Sequence, residues 1–592
     1  MALLAGAAVA SAQAQVAAPP FEFDGVGRVV AVSDVHGAHQ AFVETLRSAG
    51  VLDGAGDWAA GRAHLVVLGD IPDRGDDSRA AMELVMRLEP QAEAAGGRVH
   101  VVLGNHDVMN VVGDLRYVTR GEFAAFAAEE PAEARETAYA RYAARAGAGP
   151  APTREAFDDQ FPPGFFGHRA AFAASGKYGR WLLGKPLALR INDTLFVHAG
   201  LSAALPDATL RGLNGPLRAG LVEFAALLER LTTEGRLDPL TDFHGIPAAV
   251  EAAIQAAGAD ADPGLKRLLE LRDSPLFASA SPLWYRGNAG CGPLVEQERL
   301  SELLRAVGAR RVVIGHTPTY GRQAWRRLGD RVWMIDTGMQ RAYYSGRGTA
   351  LVLADGPPVA VYQGAPAPAA VDALPERAGA LSANLGPWEL ETALTEGQVV
   401  ARSPADDGDI LTLRWRDYEL QARFDPAASA RGPFPEAAAY RLDRLLDLAM
   451  VPAAVVRIVD GRRGSLQHLP PSLVGEPSRA AGEARVDAWC PLKDQWQAMY
   501  AFDALIGNRP RSTTDIQYVA GSGQLVLTGH GTAFGTAAEI PAHLAGVVTS
   551  LNGEWRDRLA ALESPRARDQ LLEVLTRAQY EALLRRAVRL AR

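Results

Sequence analysis

Residues 101–110 read VVLGNHDVMN, and the fold turns on how the break inside them is understood. Val101, Val102 and Leu103 have the continuous apolar character of a strand covered on both faces, and Gly104 to Asp107 end it abruptly. Gly, Asn and Asp are ordinary turn residues. A strand end is also where a rigid frame presents functional groups, so the other strands decide between the two readings. RVVAVS (28–33) runs into Asp34, Val35, His36 and Gly37, and AHLVVL (63–68) into GDIPDRG (69–75), which carries Asp70, Asp73 and Arg74. TLFV (194–197) is followed by His198, and RRVVIG (310–315) by His316.

Working outward, strands of this kind alternate with helical stretches from about residue 25 to 355, ending with RVWMID (331–336), which predicts an α/β domain. Residues 120–180 and 201–280 are helical by pattern and read as insertions beside the sheet. Residues 356–390 are rich in Pro, Ala and Gly and read as a linker. Residues 391–592 form a second α+β domain, opening on the strands LTLRW and YELQARF and closing on a long helical stretch. A chain of 592 residues is long enough for two separate cores.

The net charge of −8 argues against nucleic acid as a partner. Cys291 and Cys490 are the only cysteines; they are free to pair but give neither a disulfide framework nor a thiolate metal site. Residues 1–20, MALLAGAAVASAQAQVAAPP, have the apolar segment and small-residue cleavage pattern of a signal peptide, without a basic residue before Arg28. The expectation is export to the periplasm or beyond, with a cytoplasmic location if the stretch is only a low-complexity tail. No run is long and apolar enough for a membrane span.

In a mainly parallel sheet the C-terminal strand ends gather on one edge. Five loops would then bring together the carboxylates of Asp34 and Asp70, the imidazoles of His36, His198 and His316, and the amide of Asn105. Oxygen and imidazole donors without thiolate suit Mn, Zn or Fe. Six ligands are too many for one tetrahedral ion and enough for two if a carboxylate bridges, for which Asp70 is the best placed. Such a pair activates water and clamps both oxygens of a displacement at phosphorus.

The blocks DVHG, GDIPDRG, GNHD, HAG and GHTP resemble those of the calcineurin-like metallophosphoesterases of the phosphoprotein phosphatase type. GNHDVMNVVGDLRYV and SPLWYRG resemble the bacterial, Shewanella-like branch. The resemblance implies an α/β/β/α sandwich with helical insertions over residues 25–355 and two divalent or trivalent ions, Mn2+ first and Fe or Zn as alternatives. It assigns Asp34, His36 and Asp70 to one ion, and Asp70, Asn105, His198 and His316 to the other. It makes His106 the general acid, oriented by Asp73, with Arg74 gripping phosphate and Arg286 as a second clamp. The implied reaction is hydrolysis of a phosphate monoester by hydroxide activated between the ions. The implied substrate is phosphoserine, phosphothreonine or phosphotyrosine in a protein. The alternatives are a small-molecule phosphatase or phosphodiesterase, or a scaffold acting through the second domain. The family usually has Glu where this chain has Asp107. Tyr178 and Trp181 read as helix packing before they read as a rest for a substrate ring.

Stretches of the second domain, among them FPEAAAYRLDRLLDLAM, FDALIGNRPRSTTDIQY and LVLTGHGTAFG, resemble bacterial kinase-like domains. The resemblance puts Arg423 in the place of the nucleotide lysine and Glu436 in that of its partner. Pro510 and Gly529 stand where the catalytic and metal-binding aspartates would be, leaving Asp515 to hold a cation weakly. Without those carboxylates transfer chemistry fails. An inactive domain that binds a nucleotide or a protein is therefore expected.

Overall fold

The computed structural model describes residues 19–145, 152–365, 367–374, 385, 387–405, 408–429, 432–486, 488–520, 522–546 and 552–592. The N-terminal stretch read as a signal peptide lies outside them, apart from its last two residues. The chain divides into two compact units. One takes in residues up to His198 together with Asp207–Trp284 and Gly338–Ala369; the other takes in Ala199–Pro206, Tyr285–Thr337 and Ala370–Arg592.

In the first unit the strands Val29–Val32, His64–Val67 and Arg98–Val101 lie side by side in parallel. Thr349–Leu353 pairs antiparallel with Val29–Val32 on one side and with Val359–Tyr362 on the other. The β-branched runs VVAV and HLVV are buried along most of their length, as a sheet covered on both faces requires. Helices His39–Ser48 and Ser78–Ala94 follow the first two strands, and Phe42, Leu46, Met82, Val85 and Leu88 pack with Val30, Val32, Leu65 and Val67 in one core. These βα units bring the residues after the three parallel strands to a common edge. The hairpin Ala188–Ile191 and Thr194–Val197 carries His198 at its end.

The insertions are helical, as their patterns predict. Ala132–Ala144, Phe165–Phe172 and Lys177–Leu183 lie in the first, and Arg218–Thr233, Ile246–Ala257 and Pro263–Arg272 in the second. Tyr178 is buried with its hydroxyl donating to Glu83 at 2.8 Å, and Trp181 donates its indole N–H to Glu89 at 3.2 Å. Both rings are packing groups. The stretch read as linker differs from expectation in part, because Val359–Tyr362 is a strand buried along most of its length; the β-propensity of VAVY outweighs the Pro and Gly that flank it. Residues 366, 375–384 and 386 of that stretch lie outside the described residues.

The second unit is α+β. Its segment 285–337 contributes the helix Pro293–Ala306 and the strands Arg311–Ile314, Trp325–Arg327 and Val332–Met334. An antiparallel sheet follows, ordered Gln398–Ser403, Asp409–Trp415, Tyr418–Pro426, Arg462–His468 and Ala454–Val459. The helix Pro435–Leu446 and the helical C-terminus close a core that includes Leu413, Phe424, Leu442, Phe502 and Leu583. Cys291 and Cys490 form a disulfide at a sequence separation of 199. A loop of that length gives a cross-link worth roughly 2–5 kcal/mol to the folded unit. Among the described residues no helix is long and apolar enough to cross a membrane.

Candidate metal centre

The motif loops of the first unit are zipped together by their backbones. Asp34 N donates to Gly69 O at 3.2 Å, His36 N to Asp70 O at 2.9 Å, and Gly37 N to Ile71 O at 2.9 Å. Glycine is required where they touch: a Cβ on Gly69 would lie 2.2 Å from Gly104 N, and one on Gly37 would lie 2.4 Å from Gly75 O. Asp34, His36, Asp70, Asp73 and Arg74 all take positive φ, between 48° and 77°. Such conformations cost about 1–3 kcal/mol each and gather where side chains must be aimed against local preference.

Asp70 is the hub. Its Oδ1 accepts the His106 backbone N–H at 2.8 Å, while its Oδ2 faces three imidazoles: His198 Nε2 at 3.4 Å, His36 Nε2 at 3.7 Å and His106 Nε2 at 4.0 Å. Asp34 Oδ1 is 3.9 Å from His36 Nε2, and Asn105 Oδ1 is 3.0 Å from His198 Nε2. All five of these proposed ligands in the first unit, Asp34, His36, Asp70, Asn105 and His198, are buried. Carbonyl oxygens fix the tautomers of two rings, since they can only accept. His198 Nδ1 donates to Leu68 O at 2.6 Å and His36 Nδ1 to Pro72 O at 3.2 Å, so each ring turns Nε2 toward Asp70. Burial opposes protonation of His198, but the Asp70 carboxylate outweighs it and pushes the imidazole up to about 9, a proton that a bound metal ion would displace. His36, Asp70 and His106 offer ligand atoms within 4.8 Å of one another. Burial, and the neighbouring His106, hold the His36 imidazole well below its ordinary range, in the neutral form that binds metal. Burial opposes ionisation of Asp70, but the surrounding imidazoles outweigh it and hold the carboxyl well below the usual range. Carboxylate, amide oxygen and neutral imidazole on a buried, backbone-braced edge fit a pair of borderline or hard metal ions. His316 belongs to the second unit, where it follows the strand Arg311–Ile314 at φ 63° and is buried.

Beside the hub, His106 Nδ1 lies 2.5 Å from Asp73 Oδ2, which leaves Nε2 directed to the centre. Two residues of the dyad's surroundings escaped the sequence reading. Asn110, four residues after His106 on the helix Asn105–Val112, donates from Nδ2 to Asp73 Oδ1 at 2.9 Å. Asp107 accepts the N–H groups of Gly104 at 2.8 Å, Asp70 at 2.9 Å and Ile71 at 3.2 Å, and so ties two motif loops together. Burial and the Asp70 charge push its carboxyl up to about 7 in spite of those donors. The i, i+4 spacing in NHDVMN is the signal for Asn110; nothing in the sequence marks Asp107 as a backbone brace.

Arg74 Nη1 is 3.2 Å from His36 Nε2, and its guanidinium lies 5.1, 4.8 and 5.0 Å from the ring centroids of Tyr117, Tyr343 and Tyr344. This aromatic surround was not foreseen either, because Tyr343 and Tyr344 lie far from any motif. Arg286, expected as a phosphate clamp, lies in the second unit. Its Nη1 donates to His316 O and Thr317 Oγ1, both at 2.9 Å, and its guanidinium stands 5.6 Å from the centroid of the Trp489 ring.

In the second unit Glu436 is held by His530, from the backbone N–H at 2.5 Å and from Nδ1 at 2.7 Å. Arg511 in turn bonds Asp503 at 2.7 Å and approaches His530 Nε2 at 3.1 Å. The ion pair expected between Arg423 and Glu436 is thus replaced by a buried imidazole contact. Asp515, expected to hold a cation, accepts from Arg509 at 3.1 Å and from Ser512 N at 2.9 Å.

Residues 27–320 match the family described as calcineurin-like phosphoesterase. An uncharacterised protein of Schizosaccharomyces pombe is 29% identical over 326 residues, 54% of this chain and 75% of the relative. Shewanella-like protein phosphatase 2 of Arabidopsis thaliana is 37% identical over 98 residues, 17% of this chain and 25% of its own. Among solved structures, a cold-active protein-tyrosine phosphatase of a psychrophilic Shewanella species is 23% identical with a TM-score of 0.36, covering 58% of this chain and 80% of that one. Residues 27–320 therefore carry an α/β calcineurin-like metallophosphoesterase fold, and the chain is a metal-dependent hydrolase.

Proposed function

We propose that the protein is a phosphomonoesterase acting on phosphorylated protein side chains, with Mn2+ as the first candidate for its two ions. The observation that carries this reading is the His106–Asp73 dyad set beside the Asp70 hub. A carboxylate-directed imidazole is what an alkoxide or phenolate leaving group needs as its proton source. Asp34, His36 and Asp70 would hold one ion. Asp70, Asn105 and His198 would hold the other, with His316 assigned to it on the resemblance of the sequence. When bound, the ions would supply Lewis acidity and an activated water. Arg74 presents a guanidinium fork to two phosphate oxygens. The rings of Tyr117, Tyr343 and Tyr344 around it favour a flat, aromatic leaving group, which supports phosphotyrosine ahead of phosphoserine and phosphothreonine. Arg286 is assigned to the GHTP turn that carries His316 and, through it, to phosphate.

The second unit is proposed to be a kinase-like module that has lost transfer chemistry and retains a binding role. Export is part of the proposal, since a disulfide between the only two cysteines suits an oxidising compartment.

The test is turnover of 4-nitrophenyl phosphate by the full chain before and after chelation, with metal content measured in parallel. Chelated protein should lose activity by about 10³-fold or more and recover it with Mn2+. Full turnover without metal would overturn the proposal. A panel of phosphotyrosine peptides, phosphoserine peptides, nucleotides and diesters assigns the substrate, and a diester or nucleotide preference would replace the protein-phosphatase reading.

A further inference from the structure

Behind the dyad lies a buried carboxyl that the chemistry above does not use. Glu122 sits on the short helix Arg120–Ala124, whose cap Thr119 accepts the Glu122 N–H at 3.0 Å and donates its hydroxyl to Asp76 at 2.5 Å. A Cβ on Gly121 would lie 2.3 Å from the Asp76 carboxyl carbon, so residues 119–122 are pressed onto the 73–78 bend. The Glu122 side chain points into that bend and is 1% exposed. Its Oε1 shares the Asp73 N–H with Ser78 Oγ, at 3.5 and 3.1 Å, and its Oε2 has neither water access nor a hydrogen-bond partner.

A buried carboxylate without a cation costs several kcal/mol, and among the described residues no Lys or Arg forms an ion pair with Glu122. Burial and the adjoining Asp73 charge hold its carboxyl well above the ordinary range, toward the uncharged form. Packing alone would be served better by Leu or Met. What the polar group contacts is the backbone of Asp73, at the point where two successive residues, Asp73 and Arg74, are bent into positive φ. Asp73 directs His106, and Arg74 is the proposed phosphate grip. A change in the bend therefore reaches the proton donor first, through the 2.5 Å contact of Asp73 with His106.

We propose that Glu122 is a positioning residue of the reaction, acting through Asp73 on His106. This rests on the reading of His106 as the general acid. The route is geometric: Glu122 Oε1 and Ser78 Oγ hold the Asp73 N–H, and Asp73 Oδ2 holds the His106 ring that is to donate the proton.

The experiment is a double-mutant cycle on the metal-loaded full chain with an alkyl phosphate, whose leaving group needs the proton most. Glu122→Leu should lower kcat by about 10- to 100-fold, with KM within about two-fold and metal content unchanged. Glu122→Gln, neutral and of the same shape, should keep about a third of kcat or more. In the His106→Asn background Glu122→Leu should cost less than about two-fold, because its effect travels through the missing ring. Should Glu122→Leu fail to fold, Ser78→Ala carries the same cycle, with an expected loss of about three- to ten-fold that also vanishes without His106. A full additional loss in the His106→Asn background, a fall in metal content, or wild-type kcat in Glu122→Leu would overturn the inference. Wild-type turnover in His106→Asn itself would instead remove the general-acid reading beneath it.

Discussion

Replacing His106 by Asn is expected to lower kcat by about 10²- to 10⁴-fold while both metal ions stay bound. The ring is directed by Asp73 at 2.5 Å, and its Nε2, 4.0 Å from Asp70 Oδ2, is the most distant of the three imidazoles facing that oxygen. Asparagine keeps an N–H in the pocket but has no proton to give at neutral pH. The deficit should therefore depend on the ester. It should be largest for an alkyl phosphate, whose alkoxide cannot depart unprotonated, and smaller for 4-nitrophenyl phosphate, whose phenolate can. Steady-state kinetics on the two esters, with metal content by elemental analysis, check both halves. Loss of metal in step with loss of turnover would move His106 into the ligand shell, for which its place in the His36–Asp70–His106 cluster leaves it close enough.

Asp70→Asn should empty the centre and take turnover down with it, a fall of about 10³-fold or more. The Oδ2 of Asp70 is the one carboxylate oxygen on which His36, His198 and His106 converge. An amide in its place removes the anion that a bridging position between two cations demands. The fold should survive, because the Asn carbonyl oxygen can still accept the His106 N–H that Oδ1 accepts at 2.8 Å. Circular dichroism should thus be unchanged in a protein that no longer retains metal through gel filtration. A variant that keeps its metal and half its turnover would show that Asp70 is not the bridge.

What could be read from the sequence follows from where information is local. Each motif residue is adjacent to an apolar strand, and a strand end fixes both the edge it reaches and the direction of the chain there; Asp34, Asp70 and Asn105 were legible for that reason. The supports around them were not, because their roles depend on long-range contacts: Asp107 braces Asp70 across 37 residues, and Glu122 reaches the Asp73 backbone across 49. The tyrosines flanking Arg74 come from sequence positions more than 200 residues apart, and aromatic residues carry no spacing signal of their own. Val359–Tyr362 was hidden by composition, since the Pro and Gly that bound a strand also signal a linker when counted over a window. In the second unit a short-motif resemblance suggests Arg423 as the partner of Glu436. A histidine after Gly529 supplies the actual contact, which pattern matching on acidic positions overlooks.

The bond between Cys291 and Cys490 means that the oxidised molecule is not topologically a linear chain. It is a closed covalent circuit with two tails. One tail carries Asp34 through His198 and the circuit carries His316 and the whole Pro/Ala-rich stretch 356–390. A protease that cuts once inside the circuit opens it without releasing anything, and the two pieces stay one molecule through denaturation until a thiol is added. Apparent integrity on a non-reducing gel therefore says nothing about whether the peptide chain between Cys291 and Cys490 is whole.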